Sequence, residues 1–329
     1  MNIKKILINY SAIAVCVVCY VLFTKQIHAQ QVHFSLDPPI VQAKIKPGKT
    51  IIIAYTVQNS GDPTNLQFLV RPFTPAGQLG SLSLIPQMEG PVQFNLENAE
   101  IVMEKPFFFP SREKRQAILR IHVPPGIPDG DYYYLVLAET VPAFSLGGES
   151  AGVASASIGS PLLITITDSG TTEIKATIAE FSFKPDYSFT IGNNIVSVVD
   201  NAKELPIVCS VRNMGKNLIQ PQGTIIDQNG DSKNTYDIIS QNILSNSQRI
   251  IKTFASEDTT QKDATLVLSH LSVGSHRVTA QLSFGENTSI QYKTLSFLAL
   301  PVRLISVALG ALIIVLVFFL ARFMQRKKK

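Results

Sequence analysis

The 329-residue sequence predicts an all-β protein made of two tandem immunoglobulin-like antiparallel β-sandwiches, with an N-terminal signal helix and a C-terminal transmembrane helix. Three observations predict this class. Between residues 31 and 300, short runs of β-branched and aromatic residues alternate with turns rich in proline, glycine, asparagine and aspartate. No segment there has a convincing helical period. A short motif also occurs twice, once early and once late in this region.

The C-terminal end of the chain predicts a single transmembrane helix. Leu304–Ala321 contains eighteen residues without a charge, and thirteen of them are leucine, isoleucine, valine or phenylalanine. At 1.5 Å per residue this helix is about 27 Å long, close to the roughly 30 Å of a bilayer core. Five basic residues follow it: Arg322, Arg326, Lys327, Lys328 and Lys329. The positive-inside rule therefore predicts a cytoplasmic tail at residues 322–329 and places residues 30–300 outside the cell membrane.

Residues 1–29 have the basic start and the apolar run of a secretory signal peptide, with cleavage expected just before Gln30. Because the apolar run Ile6–Phe23 is long for a signal peptide, an uncleaved signal anchor is the alternative. Both possibilities export the region that follows.

The formal net charge of +5 reflects these two ends of the chain. Of the 29 lysines and arginines, three lie in the signal and five in the tail, which leaves 21 against 24 aspartates and glutamates. Nothing in this balance indicates a nucleic acid partner. After signal removal Cys209 is the only cysteine, so the exported region is expected to fold without a disulfide.

The first sandwich is expected to occupy residues 30–168. Five runs are predicted as strands because they are rich in β-branched residues, alternate apolar with polar residues, or lie between turn signals. These are Thr50–Gln58, Leu66–Phe73, Arg115–Val123, Asp131–Ala138 and Ser160–Thr167.

The second sandwich is expected at residues 169–299, after a boundary near Asp168–Gly170. Evenly spaced runs with turn signals between them again predict strands. They are Thr172–Phe183, Leu205–Val211, Gly223–Asp227, Ala264–Ser269, His276–Phe284 and Ser289–Leu298.

An internal repeat supports two copies of one unit. Lys49–Gly61 aligns with Lys203–Gly215, with lysine, isoleucine, valine, asparagine and glycine in register. Each copy is a strand that ends in an Asn-x-Gly turn. Chance similarity between β-strands is the alternative explanation.

Several segments of the first domain resemble bacterial WxL-interacting surface proteins. They are Phe34–Pro39, Ile45–Thr50, Val57–Asp62, Pro110–Arg115 and Val123–Tyr132. The order of signal, two immunoglobulin-like domains, one span and a basic tail is also similar, although residues 75–105 lack parts of the pattern. The resemblance implies a wall-associated binding or adhesion role. The same opening is similar to the first domain of periplasmic pilus chaperones, which are soluble.

Motifs for catalysis or metal binding have little support. Gly148–Gly152 matches the Gly-x-Ser-x-Gly motif around Ser150, but no helical pattern follows it, so a serine hydrolase is a remote alternative. Asp227–Lys233 begins like a calcium loop, yet a hairpin turn at Asn229-Gly230 is the better interpretation. The histidines have no ligand spacing, and neither a cofactor nor a metal is expected.

Two segments carry candidate ligand-binding residues. Phe107, Phe108 and Phe109 lie beside Arg112, a composition suited to sugar or peptide contacts. Phe144 and Leu146 lie in a loop of small residues, and sandwiches bind through such loops. Core packing of the phenylalanines is the alternative.

Two functions are therefore expected of a non-enzymatic, membrane-anchored protein at the cell surface. In the first, the β-sandwiches bind a cell-wall polymer or another surface protein. In the second, an edge strand of the first domain, at Thr50–Gln58 or Ser160–Thr167, accepts a strand from a secreted subunit in an assembly reaction.

Overall fold

Twenty-one strands, one short 3-10 helix and one α-helix make up the described part of this computed structural model, which covers residues 31–141, 156–256, 263–285 and 288–327. The first domain contains β1 (Phe34–Asp37), β2 (Val41–Ile45), β3 (Thr50–Asn59), β4 (Thr64–Ala76), β5 (Ser81–Leu84), β6 (Gln93–Leu96), β7 (Phe107–Phe109), β8 (Lys114–His122), β9 (Gly130–Thr140) and β10 (Ser157–Ile166).

The second domain contains β11 (Ala176–Phe183), β12 (Tyr187–Ile191), β13 (Asn194–Asp200), β14 (Leu205–Asn213), β15 (Gln222–Asn229), β16 (Ser232–Ile239), β17 (Gln248–Ile250), β18 (Lys252–Thr253), the 3-10 helix (Phe254–Ser256), β19 (Leu266–Leu268), β20 (Gly274–Ser283) and β21 (Gln291–Leu300). The helix α1 (Val302–Lys327) follows. The all-β class is thus confirmed, and all eleven predicted runs contain strands.

Two sheets form the first domain, with strand orders β1-β3-β8-β6 and β2-β10-β9-β4-β5, and β7 also pairs with β4. The first two strands of the chain, β1 and β2, belong to different sheets. β1 pairs with β3, the chain turns at Pro38, and β2 then pairs with the other sheet. Because the β2–β10 pairing is parallel, the sandwich is not purely antiparallel as the sequence had predicted.

The core of the first domain lies between its two sheets. Its largest buried side chains are Tyr55, Phe68, Phe109, Leu119 and Tyr134. They come from strands of both sheets, because alternate residues of each strand face inward.

The second domain also has two sheets, with orders β11-β14-β17 and β12-β13-β21-β20-β15-β16-β18, and β19 also pairs with β14. Here too one pairing is parallel, between β13 and β21. A separate core that includes Cys209, Ile207 and Val278 fills the space between these sheets. Two separate cores, joined by a linker between Ile166 and Ala176, explain why the strand pattern is repeated along the chain.

The repeated motif places Asn59 and Asn213 in equivalent positions, each buried at the end of a strand. The Asn59 Nδ2 donates to the carbonyl oxygens of Asp62 (2.9 Å) and Pro110 (3.1 Å), and its Oδ1 accepts from Gly61 N (2.9 Å). The Asn213 amide bonds in the same way to the Asn217, Ile243 and Leu244 carbonyl oxygens and to Gly215 N. In both domains one side chain therefore ties a strand end to two loops.

The Cys209 thiol is buried in the second core, and burial raises its pKa to about 12. Since the thiolate is the nucleophile, we expect this cysteine to resist thiol reagents at pH 8 in the folded protein and to react at once after denaturation. Titration of the mature chain with an aromatic disulfide, with and without urea, measures the rate at which the thiol reacts in the unfolded and in the folded protein. Similar rates in the two conditions would contradict the prediction.

The C-terminal helix begins at Val302, two residues before the predicted start of the span, and only Pro301 separates it from β21. The Arg303 Nε lies 3.1 Å from the Asp200 Oδ2, and Asn201 N donates to the Leu300 carbonyl oxygen (3.0 Å). The start of α1 is thereby fixed to the end of β13. Val302–Leu320 has a mean hydropathy of 2.7 and no buried share, so α1 is long and apolar enough to span a membrane.

Candidate functional site

The two domains meet at the start of β9, where Asp131 accepts three hydrogen bonds. Its carboxylate accepts from Asn217 Nδ2 (2.9 Å), Leu218 N (2.5 Å) and the Tyr133 hydroxyl (3.0 Å). The Tyr133 hydroxyl in turn accepts from Ser245 N (2.8 Å). Burial raises the pKa of Tyr133, so this hydroxyl stays protonated and able to donate well above neutral pH. Asp131 and Tyr133 together therefore connect the first domain to two loops of the second.

An apolar cluster backs this polar contact. Phe73 and Leu163 of the first domain pack with Leu244 of the second, and all three are buried. The Phe73 and Tyr133 rings are stacked at 5.8 Å between centroids. The domains are thus joined by packed side chains as well as by hydrogen bonds.

A cavity of about 240 Å³ opens beside this interface. Its walls come from both domains. The apolar part is formed by Ile40, Phe73, Leu82, Pro161, Leu163 and Leu244, and the polar part includes Ser81, Gln241, Asn242, Ser247, Gln248 and Arg249. An apolar pocket with a few polar groups between two domains is a common form of ligand site.

Arg249 is the cation of this cleft. Its Nη1 donates to the Asn242 carbonyl oxygen (2.8 Å), and its guanidinium packs against Gly80, where a side chain would collide with it. Burial lowers the pKa of Arg249, but an arginine remains protonated at neutral pH. Among the described residues no carboxylate lies within ion-pair distance of Arg249. The guanidinium therefore has donors available for a carbonyl or carboxylate group.

Gln241 adds an acceptor to the same cleft. Its Oε1 is buried and has no hydrogen-bond partner within the described part of the chain. A buried acceptor without a partner is unfavourable, and a donor from a ligand would satisfy it.

The edge of β10 leads into this cleft. β2 covers β10 only from Leu162 to Ile166, so residues 157–161 have no described strand on the side away from β9. The Thr140 N donates to the Ala156 carbonyl oxygen, and hydrogen-bonded pairs alternate along an antiparallel ladder. The backbone groups of Ser157 and Gly159 consequently point to the free side. Pro161, which also lies in the cavity wall, has no N–H to leave unpaired.

The two strands predicted as edges are mostly interior. β3 lies between β1 and β8, although β1 covers only residues 56–59 and leaves residues 50–55 open on that side in the described structure. β10 lies between β9 and β2. Only part of each strand can therefore accept another strand.

The candidate residues of β7 divide between core and surface. Phe109 has no exposed area and Phe107 packs against the same core, and Arg115 lies over both rings at 5.6 and 5.9 Å from their centroids. Phe108 is 60% exposed, and Arg112 is exposed with a φ of 61°. Phe107 and Phe109 pack in the core and are not accessible to a ligand in the same way. Ligand binding by this segment stays a prediction, and it now concerns Phe108 and Arg112.

Phe144, Leu146 and Ser150 lie outside the described residues, as do residues 1–30 and Lys328 and Lys329. In α1 the Leu304 side chain is exposed, and the Arg322 guanidinium lies 5.8 Å from the Phe318 ring centroid. The side chains of Ala321, Arg326 and Lys327 are not among those described.

The segment Asp227–Lys233, which begins like a calcium loop, forms a hairpin as expected. Asn229 pairs with Ser232, so the two loop residues are Gly230 and Asp231, one position later than the predicted turn. Within the described ranges no group of three or more metal-ligating side chains occurs.

No family model matches the chain, and no curated protein matches it, so the resemblance to WxL-interacting proteins stays a prediction. Solved structures similar to it include the class 5 fimbriae chaperone CfaA, at 13% identity over 82% of this chain and 100% of that chain, with a TM-score of 0.35. The CsuC–CsuE chaperone-tip adhesion subunit complex of Acinetobacter baumannii Csu pili matches at 12% identity over 82% and 99%, with a TM-score of 0.35. A PapD-like domain of human CEP192 matches at 12% identity over 44% and 93%, with a TM-score of 0.27. By its own structure this chain is an all-β protein of two sandwiches with one C-terminal apolar helix.

Proposed function

We propose that this protein is a non-enzymatic, membrane-anchored surface protein that binds an extended segment of another surface or secreted protein by β-strand addition. In this proposal α1 spans the membrane, residues 30–300 are outside and the C-terminus is cytoplasmic. The length and hydropathy of α1 and the basic residues after it support that topology.

One observation carries the binding proposal: the free edge of β10 at residues 157–161 leads into the cleft that Pro161 and Leu163 help to line. An added strand would bond to the outward backbone groups of Ser157 and Gly159, as in other complexes formed by strand addition. Its next residues would then enter the cavity.

The cleft can recognise such a segment in three ways. The apolar wall accepts an apolar side chain, the Arg249 guanidinium donates to a backbone carbonyl or a carboxylate, and the Gln241 Oε1 accepts from a backbone N–H. A peptide backbone offers both a donor and an acceptor, so it matches this pair of groups. A site that satisfies a buried acceptor only when occupied favours the bound state.

The proposal is tested with the full-length protein in lipid nanodiscs, exposed separately to purified wall polymer and to secreted proteins of its host. We expect saturable binding of a secreted or surface protein. Ser157→Pro removes an outward N–H and should weaken binding about 3- to 10-fold, the worth of one hydrogen bond. Arg249→Met keeps the length of the side chain but removes its charge, and should weaken binding roughly 10- to 100-fold.

Two matched variants serve as controls. Ser157→Val keeps the N–H at the edge, and Arg277→Met removes an exposed arginine on the outer face of the second domain. Both should bind like the unmodified protein. Equal binding by all four variants would mean that the cleft and the β10 edge are not the site.

Binding of a wall polymer is the second candidate function, and the exposed Phe108 beside Arg112 favours it. An aromatic ring beside a guanidinium suits contacts with a sugar polymer. Retention on wall polymer that is lost in Phe108→Ala, with no secreted protein bound, would support this function over strand addition.

A further inference from the structure

The β12–β13 hairpin of the second domain has a free edge and no charge. β12 pairs with β13, and the described part of the chain places no strand on its other side. All five residues of β12 are exposed. From Tyr187 to Val199 the hairpin contains no charged residue.

Apolar side chains are exposed on both faces of this hairpin. Tyr187, Phe189 and Ile191 share one face and are 50%, 54% and 66% exposed, and Ile195 on the opposite face is 73% exposed. On the first of these faces the neighbouring strands are mainly polar, with Arg277, Thr279, Gln281, Thr294 and Ser296, and Tyr292 of β21 adds one exposed aromatic ring. Most of the exposed apolar surface of this face therefore lies at the edge of the sheet, where it indicates a contact with another molecule.

The geometry of the hairpin leaves some backbone groups of β12 pointing to its free side. Gly192, with a φ of 63°, and Asn193 form a two-residue loop closed by the pair Ile191 and Asn194. In such a hairpin the closing pair is hydrogen-bonded and the pairs then alternate. The N–H and C=O groups of Ser188 and Thr190 consequently point away from β13.

The other sheet of this domain protects its corresponding edge. β11 has a bulge between Ile178 and Glu180, and Glu180 puts an exposed charge on that strand. Bulges, charges and prolines are the usual means by which edge strands avoid pairing. β12 has none of them, so the β12 edge is ready to pair whereas the β11 edge is protected.

The position of the hairpin restricts where a partner segment must lie. Val198–Asp200 pair with Leu298–Leu300, one residue before α1 begins, and Asp200 is paired with Arg303. At about 3.3 Å per residue, the loop of the hairpin lies within roughly 25 Å of the start of α1. A segment that pairs with β12 must therefore come close to the membrane, if α1 spans it as proposed.

A second copy of this chain fits less well. An antiparallel pair of β12 strands has its two-fold axis perpendicular to the sheet, so the two β21 strands would run in opposite directions. Two copies inserted in one membrane have the same direction.

We infer that β12 is a second binding site, which accepts an extended, uncharged segment with alternating apolar side chains from another protein anchored in the same membrane. This inference takes only the membrane placing of α1 from the proposed function, and it does not involve the cleft.

The test uses a fluorescent seven-residue probe with phenylalanine, isoleucine and valine at alternate positions and serine or threonine between them. The full-length protein in nanodiscs should bind this probe saturably, and empty nanodiscs should not. Thr190→Pro removes an outward N–H and should weaken binding at least tenfold, whereas Thr190→Val keeps that N–H and should bind normally. The same probe attached to a lipid of the nanodisc should bind at least tenfold more tightly, because its effective concentration is higher.

Several results would overturn the inference. One is a scrambled probe of the same composition that binds equally well, and another is undiminished binding to Thr190→Pro. Probe binding that is lost in Ser157→Pro but kept in Thr190→Pro would assign the probe to β10. Oxidation of Thr190→Cys to a disulfide-linked dimer in membranes would assign the edge to a second copy. If Ser157→Pro and Arg249→Met do not change the binding of any partner, the proposed cleft site is wrong, but the result with the probe still stands. The cleft site and the β12 site can therefore be rejected separately.

Discussion

Replacing Asn59 with alanine will lower the free energy of unfolding of the first domain by about 3–5 kcal/mol. The variant loses the buried amide that bonds to the Asp62 and Pro110 carbonyl oxygens and to Gly61 N, and those backbone groups are left without their partner. Urea unfolding followed by circular dichroism measures the change.

Asn213→Ala provides an internal replicate, because its amide has the same bonding pattern in the second domain. The two variants should each lower the unfolding midpoint of their own domain. Asn234→Ala, at an exposed position of β16, is the control and should change the free energy of unfolding by less than about 0.5 kcal/mol. A loss below about 1 kcal/mol in both buried variants would show that the repeated asparagine is not a structural requirement.

Replacing Asp131 with alanine will uncouple the two domains. The variant loses the acceptor for Asn217, Leu218 and the Tyr133 hydroxyl, so we expect the contact between domains to weaken by about 2–4 kcal/mol. Thermal unfolding should then separate into two transitions, and X-ray scattering should give a larger radius of gyration. Each domain keeps its own hydrophobic core, so each should stay folded.

Asp237→Ala is the matched control for this experiment, since Asp237 is exposed on β16. It should unfold like the unmodified protein. A single transition at an unchanged midpoint in Asp131→Ala would mean that apolar packing alone holds the domains together. Because the cleft has walls from both domains, Asp131→Ala should also weaken binding of any ligand of the cleft.

The sequence predicted the long strands because their composition is a local signal. Runs such as Thr50–Gln58 and Asp131–Ala138 are rich in β-branched or aromatic residues and end at turn residues, and each proved to be a strand. The repeat was predicted as a strand that ends in an Asn-x-Gly turn, and the structure adds that its asparagine is buried and has the same role in both domains.

Other elements were missed because their residue pattern is irregular or because their pairing is not local. The β12–β13 hairpin has exposed apolar residues on both faces and so lacks a clean alternation. The parallel pairings β2–β10 and β13–β21 join segments that are about 100 or more residues apart, and no short pattern indicates them.

The cleft could not be predicted because its residues are far apart in the sequence. Arg249 and Gln241 are brought near Phe73 and Pro161 only by the packing of the two domains. Conversely, the run of three phenylalanines suggested a surface, but strand alternation puts Phe107 and Phe109 inside and only Phe108 outside. Composition showed where aromatic residues are concentrated, and only the fold showed which of them are accessible.

The direct join between β21 and α1 has a mechanical consequence. β21 is bonded to β13 at Val198–Asp200 and to β20 over nine residue pairs. A pull between a bound partner and the membrane would act along β21 and load these bonds in shear, so that they must break together instead of one after another. If α1 spans a membrane and a partner binds as proposed, β21 is the strand that would carry the tension between them, and the shared load on its hydrogen bonds would keep the domain folded.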